Sequence, residues 1–337
     1  MREYGKVVAG KVQIRKSKDG ALAACFIVPP FSILDTRQGY WMDRKRRWLA
    51  LGIQSECGRA DKLVFNRSAQ GPCIYGLKNK MREEMRREPT WDEIEARAKA
   101  DGLKMQQGTS IFDPVLCEIV YRWFCPPRGL VIDPFAGGSV RGVVAGKLGR
   151  NYVGVELRAV QVESNRRQAS RIRMPCRPIW HCADSKNIAQ IAPGAYDLLF
   201  TCPPYADLER YSDDPADLST MDYVRFLETY STILTSAASM LKPDCFAVIV
   251  VGEIRDKKGR FRGFISDTQA VMRRAGMDFY NEAILVNQVG SAAIRARGMF
   301  AAALKLAKVH QNVLVFVKGD PKKAAKTLGS VDISGGV

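Results

Sequence analysis

The arrangement of apolar and amphipathic segments between residues 108 and 318 predicts an α/β fold, with a seven-stranded parallel sheet and helices on both faces. Short β-branched runs alternate there with longer stretches whose apolar residues recur every three or four positions. A glycine-rich turn also follows the first run, at the end of a strand where such sheets bind their ligands. These observations favour one domain over residues 108–318.

Seven segments are the candidate strands of this sheet. They are Leu130–Asp133, Tyr152–Glu156, Pro178–Trp180, Tyr196–Phe200, Phe246–Val251, Asn281–Val286 and Gln311–Val317. The helical spacing of apolar residues between them predicts helices over 114–124, 140–148, 158–172, 221–241 and 267–275.

Residues 1–107 are interpreted as a basic N-terminal region appended to this core, with a possible role in binding DNA. They start with a predicted hairpin and reach the basic-aromatic segment Tyr40–Trp48. Thr90 and Glu93 fit a capping box, which predicts a helix starting at Thr90. We expect partial disorder around residues 56–88 because this segment is rich in glycine, arginine and lysine. Residues 319–337 are predicted to be a basic flexible tail.

The composition points to a polyanionic partner. The chain has 337 residues, a formal net charge of +17 and a pI of about 9.6, so nucleic acid is the first partner to consider. The nine cysteines include no CxxC pair, which argues against a zinc ribbon. The longest apolar run, Phe246–Val251, is too short to cross a bilayer. We therefore expect a cytoplasmic protein that does not bind membranes.

The segment Asp133-Pro-Phe-Ala-Gly-Gly138 predicts a binding site for a nucleotide-like cofactor. Gly137 and Gly138 carry no side chains where backbone would approach the cofactor, and the helix that follows offers its free N–H groups to a carboxylate. Glu156 ends the next strand, where it can accept hydrogen bonds from two ribose hydroxyls, and Asp184 can accept one from an adenine amino group. The alternative is a tight turn beside a solvated strand end.

Other nucleotide sites fit less well. The glycines fall at 137, 138 and 142, which does not match the G-x-G-x-x-G turn of dinucleotide-binding proteins. The chain also lacks a P-loop sequence.

The segment Thr201-Cys-Pro-Pro-Tyr205 predicts a site where a planar amine is held against an aromatic ring. An exocyclic base amine is a poor nucleophile, because its lone pair is delocalised into the ring. A main-chain carbonyl near Cys202 and Pro203 can accept a hydrogen bond from this amine, while Tyr205 stacks on a base taken out of its duplex. Direct in-line transfer then needs neither a metal ion nor a covalent intermediate. The alternative is a strand-ending turn with a packed tyrosine.

Together the two segments resemble the donor and catalytic motifs of the DNA amino-methyltransferases, which methylate cytosine N4 or adenine N6 using S-adenosylmethionine. Phe112–Glu118, Val251–Asp256 and His310–Phe316 further resemble phage- and prophage-encoded members. The likeness covers roughly residues 108–318, with Pro30–Gly39 as a further candidate segment, and implies a Rossmann-like methyltransferase sheet. It also implies a role in DNA methylation, such as protecting phage DNA from restriction.

The resemblance implies two groups of site residues. The cofactor would be bound by Ser110, Phe112, Asp113, Asp133, Pro134, Phe135, Ala136, Gly137, Gly138, Ser139, Glu156, Leu157, Asp184 and Ser185. The target base would be held by Thr201, Cys202, Pro203, Pro204 and Tyr205. The family usually has Asp, Asn or Ser at the position of Cys202, and a thiol is a weak hydrogen-bond acceptor.

The identity of the base stays open, with cytosine N4 slightly favoured over adenine N6 because Cys202 is closer in size to serine. A C5-cytosine mechanism is disfavoured, because its catalytic thiolate follows a proline whereas Cys202 precedes two. No target-recognition domain interrupts the core, so sequence recognition would fall to the N-terminal region, to the loop Ala206–Met221 or to the C-terminal third. The alternative, which we favour, is relaxed or very short sequence specificity.

Two basic clusters are candidate contacts to nucleic acid. They are Arg44, Lys45, Arg46 and Arg47, and Arg295 and Arg297 with Lys305 and Lys308. For the first cluster the alternative is a helix with a solvated charged face and Trp48 in the core. We expect double-stranded DNA as the partner, with single-stranded DNA as the alternative and with a monomer or homodimer equally open. An RNA amino-methyltransferase and a non-catalytic nucleic-acid-binding protein are the competing functions.

Overall fold

A computed structural model describes residues 7–8, 11–12, 28–54, 72–103, 112–206, 211–287 and 292–329. Only the backbone is described for residues 7–8, 11–12, 72, 91 and 292–295. The predicted residue Ser110 and the side chain of Arg295 therefore lie outside the described part of the chain.

The protein is built on an eight-stranded sheet that runs through residues 33–318. Two short strands, β1 (Val7–Val8) and β2 (Lys11–Val12), pair separately. The strands of the main sheet are β3 (Ile33–Asp35), β4 (Leu130–Asp133), β5 (Asn151–Glu156), β6 (Ile179–Cys182), β7 (Tyr196–Thr201), β8 (Leu241–Val251), β9 (Asp278–Val286) and β10 (His310–Lys318). Their spatial order is β3-β9-β10-β8-β7-β4-β5-β6.

Within this sheet only β10 is antiparallel to its neighbours, β8 and β9. The other neighbouring strands are parallel. The chain leaves β4 towards β5 on one side, and β7 lies on the other side of β4. Such a switch point opens a crevice at the carboxyl ends of the strands.

Helices cover both faces of the sheet. The described α-helices are α1 (Gly39–Leu49), α2 (Pro72–Met85), α3 (Trp91–Ala100), α4 (Pro114–Phe124), α5 (Val140–Lys147), α6 (Ala159–Arg171), α7 (Ile188–Ile191), α8 (Tyr223–Ser239), α9 (Phe264–Arg274), α10 (Ala292–Ala303) and α11 (Pro321–Leu328). One core cluster lies against α1, α4, α5 and α6, and a second lies against α8 and α9. The predicted Rossmann-like α/β class is confirmed, with one strand more than the seven expected.

The extra strand belongs to the N-terminal region, which is more closely joined to the core than the sequence suggested. β3 extends the sheet beside β9, and Thr36 hydrogen-bonds to the Val286 carbonyl through its backbone N–H and its hydroxyl. α1 packs on α4 and buries Trp41 and Trp48. Residues 33–54 are thus part of the core rather than an appendage.

Two other segments contain helices within their described residues, 72–88 and 319–329, while residues 56–71 and 330–337 of the same predictions lie outside the described part of the chain. Within the segment 56–88, α2 is a regular helix that packs on α3 through Ile74, Leu77 and Ile94. The capping box predicted at Thr90 is present, because Thr90 and Glu93 each accept the other's backbone N–H. The tail begins with α11, which buries Ala324 against the core.

The described helices also bear on membrane association. Not one of them is both long enough and apolar enough to span a bilayer.

The third glycine of the sequence pattern, Gly142, has a packing role. A Cβ atom at this position would lie 2.4 Å from Cζ2 of the buried Trp180, so α5 can approach the sheet only with glycine there. Gly142→Ala is therefore expected to lower the free energy of unfolding by about 1–3 kcal/mol. Urea denaturation measures the change.

Gly76→Ala provides the matched control. Gly76 lies in α2, and a Cβ atom there meets nothing within 4 Å. Because alanine is the better helix former, this variant is expected to gain up to about 1 kcal/mol. Equal effects of the two substitutions would contradict the close packing of α5 on Trp180.

Candidate active site

The site is a cavity of about 730 Å³ at the carboxyl edge of the sheet. The residues that follow β4, β5, β6, β7, β8 and β9 lie in its wall, because parallel strands all end at this edge. The start of β10 lies there as well, since that strand runs in the opposite direction.

Most of the predicted site residues line this one cavity. From the cofactor group these are Phe112, Asp113, Pro134, Phe135, Gly137, Gly138, Glu156, Leu157, Asp184 and Ser185. From the base-holding group they are Cys202, Pro203, Pro204 and Tyr205. The structure thus brings the glycine turn and the Pro-Pro corner to the same space.

Asp133 lies beneath the cavity wall as the centre of a buried network. Its carboxylate accepts hydrogen bonds from Arg141 Nε at 2.6 Å, the Tyr152 hydroxyl at 2.7 Å and the Thr201 hydroxyl at 2.7 Å. Burial and this carboxylate raise the pKa of Tyr152 well above its ordinary value, so the phenol stays protonated and donates. The network ties the end of β4 to β5, α5 and β7.

Four predicted site residues are not among those that line the cavity. Asp133 and Thr201 are fully buried and bonded to each other, and Ala136 is buried beneath the turn. The Ser139 hydroxyl donates to Gln168 on α6 and does not cap α5. These side chains therefore face the core, as strand-end and turn residues can, and their predicted roles remain predictions.

Glu156 fixes the glycine turn from the neighbouring strand. Its two carboxylate oxygens accept from the Gly137 N–H at 2.9 Å and the Arg158 N–H at 3.0 Å. Gly137 has φ +50°, a left-handed conformation in which glycine is favoured. Burial raises the pKa of Glu156 above its ordinary value. The carboxyl group thus lies at the cavity wall with its geometry set by the backbone.

The next strand contributes Asp184 and Ser185. Asp184 accepts from the Lys186 N–H at 2.9 Å and forms an ion pair with the Lys186 side chain at 3.2 Å. The Ser185 hydroxyl donates to the Pro134 carbonyl at 2.6 Å, which joins this turn to the glycine turn.

Asp113 forms part of the opposite wall and caps α4. One of its oxygens accepts from the Val115 N–H at 2.9 Å, and the other accepts from Trp41 Nε1 at 3.2 Å and Lys45 Nζ at 3.0 Å. The neighbouring Phe112 ring lies 4.7 Å from the guanidinium carbon of Arg141. α1 therefore positions this side of the cavity, a role that sequence reasoning missed.

Tyr205 is held at its hydroxyl end. The hydroxyl accepts a hydrogen bond from Gln311 Nε2 at 2.6 Å, and the ring lies edge-on to Phe264 with their centroids 6.3 Å apart. Burial raises the pKa of Tyr205 well above its ordinary value, so the phenol is neutral at physiological pH. Tyr205 is therefore a fixed aromatic wall of the cavity.

Several lining residues were not predicted at all. They include Arg158, Gly252, Glu253, Asn287, His310 and Gln311. Lys45 and Lys308 also line the cavity, although the sequence analysis placed them in the basic clusters expected to contact nucleic acid. Burial lowers the pKa of Lys308, and burial together with the charge of Lys308 lowers that of His310. Their signal in the sequence was polar residues flanking apolar strands, but their convergence on the site depends on the reversed direction of β10.

The first basic cluster divides between the core and the surface. Arg44 is buried and forms an ion pair with Glu118, which also accepts from Trp48 Nε1 at 2.8 Å and Arg122 Nε at 2.9 Å. This placement contradicts the expectation that Arg44 contacts phosphate. Lys45 is paired with Asp113, whereas Arg46 and Arg47 are exposed. Arg297, of the second cluster, is exposed on α10.

No protein-family model and no curated protein matches the chain. Among solved structures, it is similar to TrmN from Thermus thermophilus, at 17% identity over 61% of this chain and 49% of that one, with a TM-score of 0.40. It is also similar to a TehB-like SAM-dependent methyltransferase from Corynebacterium glutamicum ATCC 13032, at 14% identity over 68% and 96%, with a TM-score of 0.37.

A third similar structure is a candidate DNA modification methylase, also from Thermus thermophilus, at 20% identity over 41% of this chain and 51% of that one, with a TM-score of 0.31. The chain therefore spans about half the length of TrmN and of this methylase. At such identities the likeness concerns the fold alone.

Proposed function

We propose that the protein is an S-adenosylmethionine-dependent methyltransferase that acts on an exocyclic amine of a nucleic-acid base. The observation that carries the proposal is the meeting of the glycine turn and the Cys202–Tyr205 corner in one cavity. A ligand-binding backbone and an aromatic wall beside a Pro-Pro turn are the parts that such a transfer needs.

The residues present fit the cofactor. Glu156 lies where it can accept from ribose hydroxyls, and Asp184 and Ser185 follow the next strand. The side chain of Ser139 turns away from the start of α5, leaving that helix end to a carboxylate. The cavity wall also carries the carboxyl groups of Glu156 and Glu253, whereas Asp113 is paired with Lys45. When bound, the cofactor supplies an electrophilic methyl group.

The chain's own groups orient the amine. The main-chain carbonyl near Cys202 and Pro203 accepts a hydrogen bond from an amine hydrogen, which leaves the nitrogen lone pair directed at the methyl group. Tyr205 stacks on the base and keeps its plane fixed. With the cofactor bound, its methyl group would pass from sulfur to the amine nitrogen, and the amine would lose one proton to solvent. Positioning supplies the catalysis, so no covalent enzyme intermediate is needed.

The proposed substrate is double-stranded DNA with the target base flipped into the cavity. The net charge of +17 supports a polyanionic partner. Cytosine N4 is favoured over adenine N6, and sequence specificity is proposed to be relaxed. Sequencing of plasmid methylated to completion tests the last point, because a single long methylated motif would contradict it.

Calorimetry with S-adenosylmethionine, followed by transfer of a radiolabelled methyl group to DNA and to RNA, tests the proposed function. Binding and transfer to DNA are expected. Transfer to RNA alone would assign the protein to RNA modification. Binding of nucleic acid without any transfer would assign it to non-catalytic nucleic-acid-binding proteins.

The raised pKa of Glu156 predicts a pH dependence of cofactor affinity. The ribose hydroxyls of the cofactor would donate to the ionised form of Glu156, so a proton on this carboxylate competes with the cofactor. The affinity for the cofactor is therefore expected to weaken as pH falls from 7.5 towards the raised pKa of Glu156. Glu156→Gln is expected to bind about tenfold more weakly at neutral pH and to flatten this dependence. Titration calorimetry across the pH range measures both effects.

Glu93→Gln is the matched control for this prediction. Glu93 is paired with Arg87 away from the cavity, and this hydrogen bond holds its pKa at about 2. The variant is expected to keep the wild-type pH dependence. An unchanged pH dependence in Glu156→Gln would contradict a role for Glu156 in binding the cofactor.

A further inference from the structure

Two surface segments adjoin residues of the cavity wall in sequence. We call the two segments together the mouth rim. The first, residues 255–262, follows the lining residues Gly252, Glu253 and Ile254. The second, residues 297–308, leads into the lining residues at the start of β10. Both segments are therefore continuous in sequence with residues of the cavity wall.

The two segments form one surface. A Cβ atom on Gly259 would lie 2.3 Å from Nζ of Lys305, so the turn and the second segment are in contact. Within the turn, Arg255 pairs with Phe261 in an antiparallel bridge and its guanidinium carbon lies 3.9 Å from the Phe261 ring centroid. Arg255 also donates to the Gly259 carbonyl at 2.7 Å.

The mouth rim has an extreme charge balance. Its cations are Arg255, Lys257, Lys258, Arg260, Arg262, Arg297, Lys305 and Lys308. Asp256 is the one carboxylate within these two segments, and it forms an ion pair with Arg260 at 3.0 Å. Four of these cations, Lys257, Lys258, Arg260 and Arg297, are exposed, and such a surface fits a polyanion.

Large apolar side chains are exposed among these charges. Phe261 is 56% exposed, Leu304 72% and Leu306 71%. Leu306 precedes the cavity-lining Lys308 by two residues, so at most about 7 Å of chain separates them. Proteins that distort nucleic acid insert such side chains between bases, while cations contact the phosphates on either side.

We propose that the mouth rim binds nucleic acid beside the extruded base, with its exposed cations on phosphates and with Phe261, Leu304 and Leu306 against the neighbouring bases. This proposal rests on the proposed function and adds the surface that holds the strand. It also accounts for the proposed relaxed sequence specificity, because phosphate contacts and the unstacking of bases carry little sequence information.

Charge reversal tests the phosphate contacts. Lys257→Glu, Lys258→Glu and Arg297→Glu change three exposed residues of the mouth rim, and Lys322→Glu, Lys323→Glu and Lys326→Glu change three exposed residues of α11 by the same total charge. The rim variant is expected to bind duplex DNA at least about tenfold more weakly than the α11 variant. When the logarithm of its DNA affinity is plotted against the logarithm of salt concentration, the slope should be shallower by about three than for the wild-type protein.

A second variant tests the apolar contacts. Leu304→Ala with Leu306→Ala is expected to slow transfer to a fully paired duplex by about tenfold or more. The loss should be smaller for a duplex with the target base mismatched, because a mismatched base costs less to extrude. Cofactor affinity is expected to stay at the wild-type value, which separates this defect from misfolding.

The outcomes distinguish the mouth rim from the function on which it depends. Wild-type protein that transfers no methyl group to any nucleic acid would overturn both proposals. Active wild-type protein with equal DNA affinity in the two triple variants would overturn the mouth rim alone. Sedimentation that shows a dimer broken by the rim variant, with DNA affinity unchanged, would assign this surface to a second copy of the chain and also overturn the proposal.

Discussion

Replacing Tyr205 with alanine is expected to lower kcat for methyl transfer by about 100-fold. Stacking of a base on an aromatic side chain is worth about 1–3 kcal/mol, and misplacement of a reacting group by about 1 Å can by itself cost 100-fold. Because Tyr205 forms a cavity wall beside the Pro-Pro corner, its removal takes away both effects. Single-turnover transfer to duplex DNA measures the rate.

Tyr205→Phe separates the ring from its hydroxyl. This variant keeps the stacking surface and loses the hydrogen bond from Gln311, which is worth about 0.5–1.5 kcal/mol. A loss of about tenfold or less is expected. Wild-type rates in the alanine variant, with cofactor binding intact, would show that Tyr205 does not hold the substrate.

Replacing Asp133 with alanine is expected to lower the free energy of unfolding by about 3–5 kcal/mol. Arg141 would remain buried without its carboxylate, and the hydroxyls of Tyr152 and Thr201 would lose their acceptor. Such a loss is a large part of the stability of a typical domain. Chemical denaturation followed by circular dichroism measures it.

Two controls isolate the buried charge. Asp43→Ala removes the carboxylate of an exposed ion pair with Arg46 and is expected to cost under about 1 kcal/mol. Asp133→Ala combined with Arg141→Leu removes both buried charges and should recover part of the loss. A cost for Asp133→Ala no larger than that for Asp43→Ala would contradict the network described here.

Much of the core was predictable because local patterns and tertiary structure agree there. Helices α4, α5, α6, α8 and α9 lie within a few residues of their predicted bounds, since each buries one apolar face against the sheet. The glycine turn and the Pro-Pro corner were predicted at strand ends and meet in the cavity, because the strands that precede them are parallel neighbours.

The remaining differences come from partners distant in sequence. Trp41, Arg44 and Trp48 are spaced to share one helix face, which was the available signal that Arg44 is buried. Its partner Glu118 lies 74 residues away, however, and no local pattern identifies it. β3 has three residues, too few for an alternating pattern, and is recognisable only from its pairing with β9.

The most direct test of the proposed chemistry is to incubate the protein with S-adenosylmethionine and unmethylated duplex DNA, digest the product to nucleosides and analyse them by mass spectrometry. The expected product is N4-methylcytosine, formed about 100-fold more slowly when Tyr205→Ala replaces the wild-type protein. N6-methyladenine alone would correct the base while leaving the site in place. Detection of C5-methylcytosine would contradict amine methylation in this cavity. So would the absence of any methylated nucleoside when the protein binds both S-adenosylmethionine and DNA.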